Sequence, residues 1–159
     1  MNIKSPNKIK IIFLIIGLFL FFIDRLLKIL SQNNFFEDKN IGIKNILYLD
    51  YFKNNNIAFS LPTGNIIALI ISIIILILFI TYYILKNKKQ SNYLALETSY
   101  LTLSIVFIGS ISNIIDRIKF GYVIDYINFL NINIFNLADV FIVIGLIIFS
   151  IKEIKWFQK

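Results

Sequence analysis

Long apolar runs separated by short polar segments dominate the chain. The first run, Ile11 to Ile23, is followed by Asp24 and Arg25, and a later stretch, Asn65 to Leu85, contains no charged residue. A helix of about 20 such residues crosses the ~30 Å hydrocarbon core of a bilayer. The pattern therefore predicts four transmembrane helices, at approximately residues 10–30, 65–85, 93–115 and 136–157.

Lysines at the ends of these runs predict the orientation of the spans. Three lysines precede the first span, three follow the second, and three lie near the C-terminus: Lys4, Lys8 and Lys10; Lys86, Lys88 and Lys89; Lys152, Lys155 and Lys159. Lysine-rich flanks stay on the cytoplasmic side of a membrane. Both termini are therefore expected in the cytoplasm, with segments 31–63 and 116–135 outside.

The outer segment 31–63 is too long for a simple hairpin. Its part from Ile41 to Phe52 is rich in β-branched and aromatic residues with partial alternation, which predicts one or two short strands; a loop without a sheet is the alternative. The expected fold class is an all-α membrane protein: four transmembrane helices and a small extracytoplasmic β element between helices 1 and 2. Residues 1–159 are expected to form a single domain.

Composition agrees with a membrane protein and excludes several chemistries. Of the 159 residues, 58% are hydrophobic, against about 45–50% in soluble domains. The net charge of +7 would suit nucleic acid, but the lysines lie where a membrane explains them. The absence of Cys and His excludes disulfides, a thiol nucleophile and a Ser-His-Asp triad. We expect no cofactor, no metal and no nucleic-acid partner.

Four aspartates from separate segments are expected near the outer leaflet: Asp24, Asp116, Asp125 and Asp139. A carboxylate at membrane depth costs roughly 2.5–3.5 kcal/mol on insertion scales, so such residues usually serve a function. Two carboxylates that meet suggest acid–base chemistry on a substrate in the bilayer. An ordinary loop residue for Asp125, and stabilisation of the helix dipole for Asp139, are the simpler alternatives.

Polar residues at helical spacing accompany these aspartates. Asn113 and Asp116 are three residues apart, as are Asn136 and Asp139, and Asp24 lies four residues before Lys28. Residues at these spacings share a helix face. The simpler alternatives are an ion pair at a helix end for Asp24 and Lys28, an interfacial ion pair or headgroup contact for Asp116 and Arg117, and helix capping for Asn136.

Five motifs carry these residues in order along the chain. They are Asp24-Arg25-Leu26-Leu27-Lys28, Asn54-Asn55-Asn56-Ile57-Ala58-Phe59-Ser60, Asn113-Ile114-Ile115-Asp116-Arg117, Gly121-Tyr122-Val123-Ile124-Asp125-Tyr126 and Phe135-Asn136-Leu137-Ala138-Asp139. Together they resemble the signature of the lipoprotein signal peptidase (signal peptidase II) family: D-x-x-x-K, N-x-G-x-A-F-S, N-x-x-D-R, G-x-V-x-D-F or a near variant, and F-N-x-A-D. Two positions depart from it, because Asn56 and Ser112 stand where that family usually has glycine.

The resemblance implies an aspartic endopeptidase of the bacterial inner membrane. Such enzymes remove signal peptides from diacylglyceryl-modified prolipoproteins by cutting before the lipidated cysteine. On this resemblance the catalytic pair is Asp125 and Asp139. Seven further residues are expected to bind substrate or support the site: Asp24, Lys28, Asn54, Asn113, Asp116, Arg117 and Asn136. The expected partners are membrane lipid and the prolipoprotein, and a monomer is the simplest oligomeric state.

Two other functions compete with a peptidase. A small transporter or a proton or ion channel would also place carboxylates in a membrane. That function predicts polar residues through the whole bilayer, whereas the second span offers, beyond Asn65 at its start, only Ser72, Thr81 and two tyrosines. A non-catalytic assembly subunit, with the acids joining helices, is the other possibility. It predicts that Asp125→Asn weakens folding or association without a cleavage defect.

Overall fold

Four long helices match the four apolar runs. The computed structural model describes residues 6–36, 41–43, 46–55, 65–87 and 93–157. The helices are α1 (Pro6–Gln32), α2 (Asn65–Asn87), α3 (Tyr93–Phe120) and α4 (Leu137–Phe157). Each predicted run coincides with one helix, but α1 and α3 extend beyond the expected residues 10–30 and 93–115, and Asn136 precedes α4.

Within the described residues, no helix combines the length and the apolar character that crossing a membrane requires.

Helix α3 is the centre of the bundle, since it packs against α1, α2 and α4. The outward faces of the helices are apolar: Phe19 and Phe22 on α1 and Ile66 and Leu78 on α2 are all more than half exposed. The fully buried side chains, by contrast, include many polar groups, among them Lys28. Apolar groups therefore face outward, and the polar groups gather inside at one end of the bundle.

A four-stranded antiparallel sheet covers that end. Its strands are β1 (Gly42–Ile43), β2 (Leu47–Asn54), β3 (Val123–Phe129) and β4 (Asn133–Phe135), in the order β1-β2-β3-β4. The strands predicted within residues 41–52 are confirmed. The expectation of a small β element confined to the segment between helices 1 and 2 was wrong, because β3 and β4 lie between α3 and α4. Residues 123–126 of β3 are all buried, so the strand lacks the apolar–polar alternation that marks a half-buried strand.

Gly121 turns the chain from α3 into β3. Its N–H donates to the carbonyl of Arg117 at 3.0 Å, and its φ is 79°. A positive φ just beyond a helix end suits glycine, which has no Cβ to clash. This turn brings β3, with Asp125, back beside the end of α3 that carries Asp116.

The register of β2 against β3 brings one predicted polar residue to Asp125. Asn54 is opposite Val123 and Phe52 is opposite Asp125, after an irregularity between Leu49 and Phe52. Diagonal neighbours across a strand pair share a face, so the side chains of Asn54 and Asp125 meet. Asn56, which stands where the family usually has glycine, lies outside the described residues.

Gly109 marks a close approach of α3 to α4. A Cβ added at Gly109 would lie 2.5 Å from the carbonyl oxygen of Ala138, a backbone atom in the first turn of α4.

We expect Gly109→Ala to lower the free energy of unfolding by about 1–3 kcal/mol, measured by denaturation in detergent. Gly17→Ala is the matched control, because its Cβ would meet side-chain atoms of Ile108, which can move aside. Both changes gain the same helix propensity. An equal change in the free energy of unfolding for the two variants would therefore contradict the predicted clash at Gly109.

Candidate active site

Asn136 immediately precedes helix α4 and caps its first turn through a reciprocal pair of hydrogen bonds with Asp139. Its side-chain oxygen accepts the N–H of Asp139 at 2.9 Å, and the Asp139 carboxylate accepts the N–H of Asn136 at 3.2 Å. This reciprocal pattern is a capping box. The capping role considered for Asn136 is therefore confirmed, and the cap also fixes the side chain of Asp139.

Asp125 is a buried carboxylate with an amide donor at each oxygen. The Asn136 side-chain amide donates to Oδ1 at 2.6 Å, and the Asn54 amide donates to Oδ2 at 2.7 Å. Only 1% of the Asp125 surface is exposed. Asp125 is thus a member of strand β3 inside a polar cluster, not an ordinary loop aspartate.

Asp139 lies in the same cluster and keeps part of its surface accessible. Its Oδ1 accepts the amide of Asn113 at 2.7 Å. Asn113 in turn accepts the amide of Asn136 at 3.1 Å, and Asn136 contacts both Asp125 and Asp139. The structure therefore brings the two predicted carboxylates into one hydrogen-bonded group, joined through the side chain of Asn136.

Burial changes the acidity of Asp125. Loss of water, followed by the negative charge of Asp139, raises the pKa of Asp125 from its ordinary 3.8 to about 7. The hydrogen bonds from Asn54 and Asn136 lower that pKa but do not offset the burial. A carboxyl group with a pKa near neutrality can both take up and release a proton at physiological pH.

A second cluster, made of charged side chains, lies next to the first. Lys28, fully buried, donates to Asp116 Oδ2 at 2.7 Å and contacts Asp24 Oδ2 at 3.2 Å. Arg25 pairs with Oδ1 of the same Asp116. Two carboxylates and two cations therefore sum to zero charge, which limits the cost of burying them.

Lys28 also joins the two clusters, because it donates to the side-chain oxygen of Asn113 at 2.9 Å. The half-buried Arg117 lies close enough to Asp139, Asp125 and Asp116 for their charges to interact. All nine predicted site residues thus fall within one connected region. Within the part of the chain that the structure describes, no three His, Cys, Asp or Glu side chains are grouped to hold a metal ion.

Comparison with known proteins places this site in a family. The sequence model of Signal peptidase (SPase) II matches residues 16–155, most of the chain. The chain belongs to the signal peptidase II family. The lipoprotein signal peptidase of Clostridioides difficile is 34% identical over 154 residues, covering 95% of this chain and 97% of that protein. That of Caldicellulosiruptor bescii is 36% identical over 136 residues, 85% of each chain.

Solved structures agree with this membership. A bacterial membrane enzyme determined at 2.3 Å resolution is similar with a TM-score of 0.69 and 28% identity, covering 90% of this chain and 87% of that one. As a member of the signal peptidase II family, the chain is an aspartic-type peptidase that processes prolipoproteins, and it is a membrane enzyme. Membership decides against the transporter or channel and against the non-catalytic subunit.

Three residues of the site were not among those predicted from the sequence of this signal peptidase II member. Arg25 lies within the first motif, Ser112 stands where the family usually has glycine, and Tyr126 ends the fourth motif. Tyr126 and Ser112 both donate to Asp24, at 3.0 and 2.5 Å. The contacts of Asp24 with Lys28 and of Asn136 with Asp139 were visible as spacing, whereas the contacts of Arg25, Ser112 and Tyr126 cross between elements.

Lys28 is predicted to be essential for stability in this family member. Lys28→Met removes the cation that contacts both Asp24 and Asp116, and leaves two buried carboxylates with less compensation. We expect the free energy of unfolding in detergent to fall by about 3–5 kcal/mol. Lys53→Met is the control: this exposed lysine lies 5.4 Å from the centre of the Tyr122 ring, which is worth about 1 kcal/mol at most. Comparable losses in the two variants would contradict the role of Lys28.

The raised pKa of Asp125 predicts a pH dependence of stability. Between its ordinary pKa of 3.8 and its folded pKa of about 7, the folded protein keeps a proton that the unfolded chain has lost. The contribution of Asp125 to the free energy of unfolding therefore falls as the pH rises from about 4 to about 7, and is level above that. The slope is at most about 1.4 kcal/mol per pH unit.

Asp125→Asn removes this contribution. We expect the stability of the wild type relative to Asp125→Asn to decline with rising pH over that range, as measured by denaturant titrations at several pH values. A stability difference that is constant between about pH 4 and pH 8 would contradict the raised pKa.

Proposed function

We propose that Asp125 and Asp139 are the catalytic pair of this peptidase and act on diacylglyceryl-modified prolipoproteins, cutting before the lipidated cysteine. The observation that carries the assignment is the side chain of Asn136, which donates to Asp125 at 2.6 Å and accepts from the N–H of Asp139 at 2.9 Å. This side chain therefore links the Asp125 carboxylate on β3 to the backbone of Asp139 on α4, while the Asp139 carboxylate accepts the N–H of Asn136 and the amide of Asn113.

The pair would share one proton, because two neighbouring carboxylates do not both ionise cheaply in a buried site. The ionised member takes a proton from a bound water, and the water oxygen attacks the scissile carbonyl carbon. The protonated member donates to the carbonyl oxygen. Collapse of the tetrahedral intermediate breaks the C–N bond, and a proton passes to the leaving amine. The two aspartates titrate as a unit.

The other polar residues have supporting parts in this proposal. Asn54 and Asn113 each donate to one catalytic carboxylate, which holds its orientation. Lys28 acts on Asp139 through Asn113, and Asp24 acts on it through the first turn of α4. Asp116 balances the charge of Lys28. Arg117, beside both catalytic groups, supplies positive charge for the substrate backbone or the developing oxyanion.

The site would lie near the outer leaflet of the bacterial inner (cytoplasmic) membrane. The exposed apolar faces of the helices support a multi-pass arrangement of four spans, and the lysine-rich flanks support cytoplasmic termini. The polar cluster is at the sheet end of the bundle, opposite the first turn of α1 and the last turn of α4. Membrane lipid surrounds the spans, and the enzyme acts as a monomer.

The test uses purified enzyme reconstituted in lipid with a diacylated prolipoprotein. We expect Asp125→Asn and Asp139→Asn each to lower the cleavage rate by about 100-fold or more, because either change removes a proton carrier. Asp50→Asn is the matched control: Asp50 lies on β2, where its carboxylate accepts the N–H of Tyr51 at 2.7 Å, and we expect normal cleavage.

A second arm replaces the substrate with the same protein lacking lipid, which we expect to remain uncut. Wild-type cleavage by either catalytic variant, with folding confirmed by its melting transition, would refute the catalytic pair. Equal cleavage of the unlipidated substrate would refute the proposed lipid requirement only.

A further inference from the structure

The first turn of α4, which carries Asp139, is held by residues from outside the helix. The N–H of Leu137 donates to the Tyr126 hydroxyl at 3.0 Å, and the N–H of Ala138 donates to Asp24 Oδ1 at 3.1 Å. First-turn N–H groups have no partner within their own helix. Here a strand residue and an α1 residue satisfy two of them, immediately before Asp139.

The Asp24 carboxylate is itself held by two hydroxyl groups. Tyr126 donates to Oδ1 at 3.0 Å and Ser112 donates to Oδ2 at 2.5 Å. Lys28 contacts the same Oδ2 at 3.2 Å. Asp24, Ser112 and Tyr126 are each 1% exposed or less, so a rotated Asp24 would leave buried polar groups without partners, which is costly.

The Tyr126 hydroxyl has one hydrogen, and its direction is determined. Because the hydrogen points to Asp24, the oxygen's lone pairs are free to accept the N–H of Leu137. Burial raises the pKa of Tyr126 above its ordinary value, which keeps the hydroxyl protonated and able to donate. One hydroxyl thus fixes both the carboxylate of Asp24 and the first residue of α4.

We propose that Tyr126 and Ser112 are positioning residues of this peptidase, whose hydroxyls fix Asp24 and, through it, set the place of Asp139 relative to Asp125. The inference rests on the proposed catalytic role of Asp139. Neither hydroxyl touches Asp125 or Asp139 in the contacts described above. Their effect would pass through the backbone of residues 137 and 138 and the carboxylate of Asp24.

The test compares Tyr126→Phe and Ser112→Ala with Tyr48→Phe. The first change keeps the aromatic ring, which contacts Phe36, and removes only the hydroxyl. The Tyr48 hydroxyl on β2 also has two partners, Asn131 and Asn128, both at 2.7 Å, in a different part of the sheet. Tyr48→Phe therefore removes the same group and as many hydrogen bonds without touching the start of α4.

We expect Tyr126→Phe and Ser112→Ala each to lower kcat about 10-fold, with KM changed less than about twofold. A displaced catalytic group loses transition-state stabilisation and leaves substrate binding unchanged, and a shift of about 1 Å is enough for such losses. Tyr48→Phe should keep the wild-type kcat. Rates are expressed per folded enzyme, so that a purely structural loss does not lower kcat.

Three results would overturn the inference: wild-type kcat in both Tyr126→Phe and Ser112→Ala, an equal loss in Tyr48→Phe, or a rise in KM at unchanged kcat. The catalytic assignment is tested separately by Asp139→Asn. If Asp139→Asn is inactive and both hydroxyl variants are normal, only the positioning role is refuted. If Asp139→Asn cleaves normally, the catalytic assignment and the inference that rests on it both fail.

Discussion

The burial of Lys28 between two carboxylates is the constraint on which the rest of the structure depends. Its ammonium contacts Asp116 at 2.7 Å and Asp24 at 3.2 Å, and all three side chains are essentially inaccessible. An uncompensated charge in such a place would cost several kcal/mol. α1 and α3 must therefore stay in the register that joins these groups.

This register of α1 and α3 also positions the candidate active site. Lys28 reaches Asn113, which donates to Asp139, while Asp24 accepts the N–H of Ala138 in the first turn of α4. The buried charges and the candidate catalytic pair thus belong to a single connected network. The charges of Lys28, Arg25, Asp24 and Asp116 balance one another, whereas burial, followed by the negative charge of Asp139, raises the pKa of Asp125.

The two aspartates of that pair differ in their surroundings. Asp125, on a strand, is closed in by Asn54 and Asn136, whereas Asp139, in a helix cap, keeps part of its surface accessible. Unequal environments around two neighbouring carboxyl groups favour different protonation of the two. Because the two residues come from different elements, their relative position depends on how β3 and α4 are joined, which is why the contacts at the start of α4 matter.

Much of this protein was predictable from the sequence alone. The length of each apolar run determined the four helices, because helix formation in such runs is a local property. Through their resemblance to a family signature, the motifs predicted that two aspartates are catalytic and that seven residues support them, and the structure places all nine in one connected region. The sequence did not reveal β3, because a strand buried on both faces has no alternation, and its 123–126 segment is such a case.

The tertiary structure decided which groups meet. Asp24 and Ala138 are 114 positions apart in the sequence. Lys28 and Ser112 are separated by 84 positions, and Asp24 and Tyr126 by 102. No local pattern encodes such contacts. They arise only when α1, α3, β3 and α4 pack around one point. The residue types therefore determined which chemistry was possible. Packing determined which side chains come close enough to take part in it, because hydrogen bonds and ion pairs require distances that only the folded chain supplies.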